Sequence, residues 1–430
     1  MKKLSLWHLC MLTVLLLTAP TLSAADSYKS LNGTMTPISL PDALHPWWPD
    51  SLSLRFVNHV GRHGARFLSS ESKVLKLEKF LKEQNAAGNL SDKGEQAMAI
   101  LDTVRARTAG RWGALTELGR REEETIASLT FSLSPELFHK GHITSLSSYV
   151  PRVVESQYSF CLALADSSSH LEIVTAEGRN FDILMRPFDY FKPYKHYRAE
   201  GAWKAPYSRF EAQMVPVGPA RRLLKDDRSL TDAEAQALSM DMYGILQGME
   251  AAGIPISPSV WFSVEEYREC AVISNLARFC RNSINPYSTL AGSSAAPLLE
   301  NLILTMRKAA EAPEKEYDVA RLRFGHDETL MPLISLMGLT PLELEKDSLS
   351  PINVWERWNT AEYFPLAANL QLFLLRSPGG KMFVAAMLNE RPVAPCAADS
   401  LIGGQLIVSL DDFEKCMKTR IALFPAISHE

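Results

Sequence analysis

Residues 58–67 of the chain (NHVGRHGARF) gather two cations and an imidazole within five positions: Arg62, His63 and Arg66. A guanidinium presents a planar fork of donors that matches two phosphate oxygens, and each charge-assisted bond contributes roughly 1.5–3 kcal/mol. Two such forks beside one imidazole point to a phosphoryl group held for covalent transfer to histidine. The plain alternative is a basic turn on a solvated surface. A second group lies far downstream, in Phe324-Gly325-His326-Asp327-Glu328-Thr329-Leu330, where a glycine again separates a short apolar run from ionisable side chains. Taken alone, that His-Asp pair reads equally well as a polar turn.

These residues need elements to aim them. Residues 51–58 mix Leu, Val and Phe with polar positions and read as a strand, which places Arg62, His63 and Gly64 at its C-terminal edge, where ligands bind in open α/β sheets. Gly64 is expected to fold the chain back through a backbone conformation closed to other residues. A helical pattern over 330–339 puts Asp327 and Glu328 near a helix N-terminus, which favours their ionised forms unless burial opposes it. Apolar spacing predicts further helices over 72–85, 91–107, 115–129 and 150–164. Strands are predicted over 141–146, 169–175, 321–325, 369–376 and 381–388, the last two joined by Ser377-Pro378-Gly379-Gly380 as a hairpin. From about residue 180 to 300, Pro and Gly break helix-length segments and no strand alternation is present. The expected fold is therefore α/β: a central, mostly parallel sheet flanked by helices, built from 26–180 and 300–430 and interrupted by a mostly helical insert at 181–299. A cleft between the two parts is the expected binding site.

Residues 1–25 carry Lys2 and Lys3, then an apolar run over 9–17, then Ser23, Ala24 and Ala25, the layout of a secretory signal peptide. No later run reaches the ~20 apolar residues that a spanning helix needs, so a soluble, exported protein is expected, periplasmic or extracellular. Cys10 lies in the apolar run without small residues before it, which argues against a lipid anchor there. Removing Lys2 and Lys3 takes the formal charge from −4 to −6, which argues against general attraction to nucleic acid or anionic membrane. Any anion site must be local. Of six cysteines five remain after the leader, and Cys270–Cys280 and Cys396–Cys416 are the short-range disulfide pairs to test, with Cys161 left as a buried free thiol. No Cys/His spacing resembles a zinc site, and no metal or other cofactor is expected.

Together the two motifs resemble those of the histidine phosphatase superfamily, in the branch that holds acid phosphatases, phytases and multiple inositol polyphosphate phosphatases. The resemblance covers nearly all of the mature chain. It rests on Arg62-His63-Gly64-Ala65-Arg66 and His326-Asp327-Glu328, supported by GALTELG (113–119), VPRVVES (150–156) and LNERP (388–392). It implies that His63 is the nucleophile that forms phosphohistidine, that Arg62, Arg66 and Arg152 form a guanidinium clamp, and that His326 is a second phosphate-binding histidine. Arg152 by itself would read as an ordinary helix-start residue. A cationic ring of this kind lowers the pKa of His63, favours the neutral imidazole that attack requires, and holds the charge of an in-line transfer without a metal.

The sequence departs from the family at two points. Acid phosphatases and typical phytases carry a His-Asp pair with Asp as proton donor, whereas inositol polyphosphate phosphatases usually carry His-Ala-Glu with Glu as donor; this chain has both Asp327 and Glu328. Asp327 matches the widest branch, while Glu328-Thr329-Leu330 and Pro332 lean toward the inositol polyphosphate group. Leu68 stands where the family commonly has Pro, which bears on loop rigidity. Arg179, Lys192 and Lys195, in a basic stretch with Arg186, His196 and Arg198, are candidates for a shelf that receives further phosphates; Asp182, Asp189, Tyr190, Phe191 and Tyr194 equally suit a solvated loop. The leading expectation is an exported phosphomonoesterase acting on inositol polyphosphates such as phytate. The alternatives are a broad acid phosphatase for sugar phosphates and a phosphate-ligand binder without turnover, and a pure binder has no need of a nucleophile and a donor together.

Overall fold

The computed structural model describes residues 26–139, 141–313, 316–339, 349–396, 404–424 and 427, so the leader expected at 1–25 lies outside the described residues. Its strands are β1 (Ser53–Arg62), β2 (Gly141–Ser147), β3 (Leu171–Glu177), β4 (Asp318–Gly325), β5 (Asn369–Arg376), β6 (Met382–Leu388), β7 (Arg391–Val393) and β8 (Ile407–Ser409). They form one sheet in the order β3-β2-β4-β1-β5-β6-β7, with β8 also paired to β6. The fold is α/β with helices on both faces. The sheet is mixed, which corrects the expectation of a mostly parallel one: β3, β2, β4 and β1 run parallel, and β5, β6, β7 and β8 join antiparallel. A tight turn such as Ser377–Gly380 can only link antiparallel neighbours, whereas parallel strands need long crossovers.

The longer helices are α1 (Ser72–Ala86), α2 (Asp92–Thr108), α3 (Glu117–Ser132), α4 (Pro151–Ser167), α5 (Lys192–Glu200), α6 (Lys204–Met214), α7 (Asp232–Leu246), α8 (Val264–Asn282), α9 (Leu290–Glu311), α10 (Asp327–Met337) and α11 (Leu410–Ala422). Ile126 and Ala127 of α3 and Val153 and Phe160 of α4 cover one sheet face, packing with Val57, Phe324 and Phe373. Helices α9, α10 and α11 cover the other face, against Phe56, Val60, Leu370 and Leu372. With both faces covered, β1 is buried from Leu54 to Arg62, sending Phe56 and Val60 into one core and Leu54 and Val57 into the other.

Between Glu177 and Asp318 the described residues hold helices and no strand. This helical stretch packs onto the sheet. Its residues Met185, Phe188, Tyr194 and Trp203 share a hydrophobic cluster with Val60 and Leu370 of the sheet. In turn, Val74, Leu77 and Leu101 of α1 and α2 pack with Met242, Tyr243 and Tyr267 of α7 and α8. Among the described residues no helix is long and apolar enough to cross a membrane.

Cys270 and Cys280 are both buried on α8 and unbridged. Ten residues of one helix separate them by roughly 15 Å, far beyond the ~7 Å that a disulfide spans, so that expected pair is corrected. Cys161 is a buried free thiol on α4, pushed up to about 11 first by burial. Cys396 and Cys416 are unbridged as well, and their thiols hydrogen-bond to each other.

Candidate active site

The parallel register does the first positioning. It pairs Arg62 of β1 with Gly325 of β4, so the next residues, His63 and His326, leave neighbouring strand ends side by side. Their rings meet edge to face with centroids 5.7 Å apart. On the far side of β4, Ser147 pairs with Phe324, and the chain then passes Ser148 into the first turn of α4, which carries Arg152. Three adjacent strand ends thus supply all four phosphate-binding candidates and both histidines. The two motifs, more than 250 positions apart in the chain, share one point.

The loop after β1 is fastened at every turn. His63 N donates to Gly325 O (3.2 Å), Gly64 N to Ser156 Oγ (3.0 Å), Ala65 N to Glu122 Oε2 (2.6 Å) and Phe67 N to Ala114 O (3.0 Å). Because these N–H groups are spent on the scaffold, an anion here is held by side chains and not by a backbone cradle. Gly64 does not adopt a positive φ, contrary to the expected fold-back. It is required for a close approach instead: a Cβ there would lie 2.3 Å from Gly119 O, and one at Gly119 would lie 2.2 Å from Ala65 O. Beyond the loop, Leu68 packs in the cluster formed with α1 and α7, and its carbonyl accepts Gly113 N at 2.7 Å.

His63 is 2% exposed, and its Nδ1 lies 2.9 Å from Gly64 O. A carbonyl only accepts, so Nδ1 carries the proton and Nε2 keeps a lone pair. Burial, and then the charges of Arg152, Arg62 and Arg66, hold this imidazole well below its ordinary range, so it is neutral. Arg62 spends Nη1 on the carbonyls of Thr34, Phe364 and Pro365 at 2.7–2.9 Å and turns Nη2 toward Asp327 (3.9 Å). The Nε–H groups of Arg62, Arg66, Arg152 and Arg186 are buried and donate to no protein group among the described residues. Burial, and then Arg152 and Arg62, push Arg66 down to about 9. Such crowding of unpaired guanidinium donors is costly in itself and is relieved by an anion.

His326 caps α10, with its N–H on Thr329 Oγ1 (3.0 Å). Its Nε2 lies 3.1 Å from both Ser148 Oγ and Arg186 Nη1. A guanidinium only donates, so Nε2 accepts and Nδ1 bears the proton; burial, then Arg152 and Arg186, keep the ring neutral. Asp327 is 5% exposed, with Oδ2 3.1 Å from Arg278 Nη1. Burial opposes its ionisation, but Arg62 and Arg278 outweigh burial and hold the carboxyl well below the usual range. Glu328 is displaced to the edge, where it pairs with Arg198 Nη2 at 2.8 Å.

The structure therefore gathers His63, Arg62, Arg66, Arg152, His326, Asp327 and Glu328, and adds Arg186, Arg198 and Arg278 from the helical stretch. Arg179 lies farther out, 74% exposed and stacked on Tyr149 at 4.1 Å, the same ring that faces Arg186 at 5.1 Å. Lys192 and Lys195 are exposed on α5, and Lys195 pairs with Asp189. Arg186 and Arg198 fall in the basic stretch read from the sequence, where their aromatic neighbours Phe188 and Tyr194 are the legible sign: Arg186 faces the Phe188 ring at 4.8 Å and Arg198 faces both. Arg278 carries no such sign, being one cation in a nineteen-residue amphipathic helix.

A neutral imidazole ringed by guanidinium donors makes a site suited to an anion with several oxygens. The family signature of the histidine phosphatase superfamily (branch 2) matches residues 53–389, and the chain belongs to that family. Multiple inositol polyphosphate phosphatase 1 of Homo sapiens is 23% identical over 401 residues, covering 85% of this chain and 77% of that protein. The crystal structure of Bifidobacterium longum multiple inositol polyphosphate phosphatase in complex with inositol hexasulfate superposes with a TM-score of 0.77 at 16% identity, covering 90% of this chain and 97% of that one. The phytase from D. castellii superposes at 0.69 with 17% identity, covering 94% and 88%. The chain is a phosphomonoester hydrolase of the histidine acid phosphatase type.

Proposed function

We propose that this hydrolase removes phosphate from inositol polyphosphates such as phytate, through a phosphohistidine on His63. The observation that carries the reading is the Nδ1–H of His63 bonded to Gly64 O, which keeps the lone pair on Nε2, in a ring close enough to Arg152, Arg62 and Arg66 for their charges to hold it neutral. Nε2 bonds to phosphorus while the P–O bond to the leaving alkoxide breaks and Asp327 gives that alkoxide a proton. Water then attacks the phosphohistidine, Asp327 takes its proton, and orthophosphate leaves. Arg62, Arg66 and Arg152 neutralise the oxygens throughout, with the neutral His326 beside them as a polar contact.

The donor assignment follows from position. Asp327 sits against Arg62, one residue from the nucleophile, whereas Glu328 is engaged by Arg198 at the edge. In the free site Asp327 is ionised by its arginines; a phosphoryl dianion among the same arginines offsets their field and raises its affinity for a proton. Further phosphates of a polyphosphorylated ring would meet Arg186, Arg198 and Arg278, with Arg179, Lys192 and Lys195 as outer contacts. That surplus of cations beyond one phosphate's needs, with the relatives named above, supports a polyphosphate over a simple sugar phosphate.

The test compares orthophosphate release from inositol hexakisphosphate with that from a hexose phosphate. A kcat/KM at least tenfold higher for the former is expected; the reverse order supports a broad acid phosphatase, and binding without release supports a non-catalytic binder. The layout of residues 1–25 supports export, and mature protein recovered outside the cytoplasm and beginning near residue 26 is the expected result.

A further inference from the structure

Behind the catalytic loop lies a carboxylate that no step above uses. Glu122, on α3, is 4% exposed, and its two oxygens each take one backbone donor: Oε2 accepts Ala65 N at 2.6 Å and Oε1 accepts Ile38 N at 3.3 Å. Ala65 stands between His63 and Arg66, so this bond fixes the peptide that joins the nucleophile to its clamp. The loop's other fastenings are to carbonyls, to the Ser156 hydroxyl and, at Gly64 N, to the neighbouring carboxyl of Glu123; Glu122 is the one that holds the peptide between His63 and Arg66. We propose that Glu122 is a positioning residue for phosphoryl transfer: its ionised carboxylate, holding Ala65 N–H and Ile38 N–H on separate oxygens, sets the loop so that His63 Nε2 is aimed at phosphorus. This rests on His63 being the nucleophile.

Two N–H donors on separate oxygens favour the ionised form. A protonated carboxyl would direct its own O–H at one of two donors, and one anchor would be lost. The surroundings set the two tendencies against each other. Burial pushes Glu122 up to about 7, while the N–H groups of Ala65 and Ile38 and the charges of Arg62, at the end of β1, and Arg121, on its own helix, pull it down. Glu123 beside it is fully buried and pushed far above the carboxylate range first by burial, then by Glu122; Glu390, from the turn between β6 and β7, adds to that effect. The Ser156 hydroxyl and Gly64 N–H pull Glu123 back only in part, so Glu122 is the member of the pair held nearer the carboxylate range.

The experiment is Glu122→Gln, which keeps the shape and one accepting oxygen but replaces the other by an amide that donates. A misplacement of about 1 Å costs on the order of 100-fold, so kcat for inositol hexakisphosphate should fall by about 10- to 100-fold with KM changed less than threefold. The acid limb of the kcat profile should move by at least one pH unit, and Glu122→Asp should recover part of the rate. An unchanged kcat and an unchanged acid limb in Glu122→Gln overturn the proposal. If that variant does not fold, the wild type decides: protection of the Ala65 amide from hydrogen exchange should rise with the same titration as kcat, and protection flat from pH 5.5 to 8.5 overturns it. Retention of full turnover by His63→Ala would instead overturn the nucleophile assignment, so the two failures are distinct.

Discussion

Arg278, in the last third of α8, donates to Oδ2 of Asp327, the first residue of α10, across 3.1 Å. With Arg198–Glu328, this ion pair ties the helical stretch to the strand-end motif that carries the candidate proton donor. Asp327 is held between Arg278 and Arg62, and its charge is a property of the assembled site and not of its own turn.

Asp327→Asn should slow alkyl phosphates by roughly 10²–10⁴, the usual worth of a placed general acid. Hydrolysis of p-nitrophenyl phosphate, whose leaving group needs little protonation, should fall far less. Equal behaviour of Glu328→Gln would move the donor to Glu328.

Arg278→Met removes a charge-assisted partner near the clamp, and loss of one such bond is worth about tenfold in affinity. Competitive inhibition by orthophosphate should weaken by about that factor, read from initial rates. Unaltered inhibition would place Arg278 outside the anion's reach and leave it with Asp327 alone.

Glu390 predicts a stability profile. It sits in the turn between β6 and β7 at φ 59°, buried, with Oε1 accepting Asn369 Nδ2 at 2.8 Å and Oε2 without a partner among the described residues. Burial pushes its carboxyl up to about 7, above the unfolded value. The stability it contributes is therefore fully present below about pH 4.5 and lost as pH rises through 7. A shift of this size corresponds to about 3 kcal/mol. Glu390→Gln should remove most of that loss, so that urea midpoints of variant and wild type diverge between pH 4.5 and 8; parallel curves would contradict the assignment.

The thiols of Cys396 and Cys416 already face each other, whereas Cys161, Cys270 and Cys280 are buried apart. Treatment with oxidised glutathione should yield an intramolecular 396–416 link before any other, read by peptide mass under non-reducing conditions. Mixed disulfides at the other cysteines, without that link, would contradict it.

Much of this site is legible in the sequence because its parts are local. The apolar run before Arg62, the glycine before His326 and the helix pattern after Asp327 each declare a strand end or a helix start within a few residues, and the observed bounds follow them closely. What the sequence hides is long-range. The direction of β5 beside β1 depends on where a crossover returns, so the mixed sheet is not written in either strand. Arg278 looks like any solvated helix cation until α8 packs against α10. Glu122 looks like one of three consecutive acids, Glu122, Glu123 and Glu124, until α3 is pressed onto the loop through Gly64 and Gly119. Gly64 itself was legible as necessary, but for a close approach and not for its backbone angle.

The account depends on a covalent bond between phosphorus and Nε2 of His63. Rapid acid-free quenching of the enzyme during turnover of ³²P-labelled inositol hexakisphosphate, followed by peptide mapping, tests it directly. The label should appear on the peptide holding residues 58–67, stable to alkali and lost in acid, and should be absent from His63→Ala. Turnover at an undiminished rate with no labelled His63, or label on another residue, would contradict it.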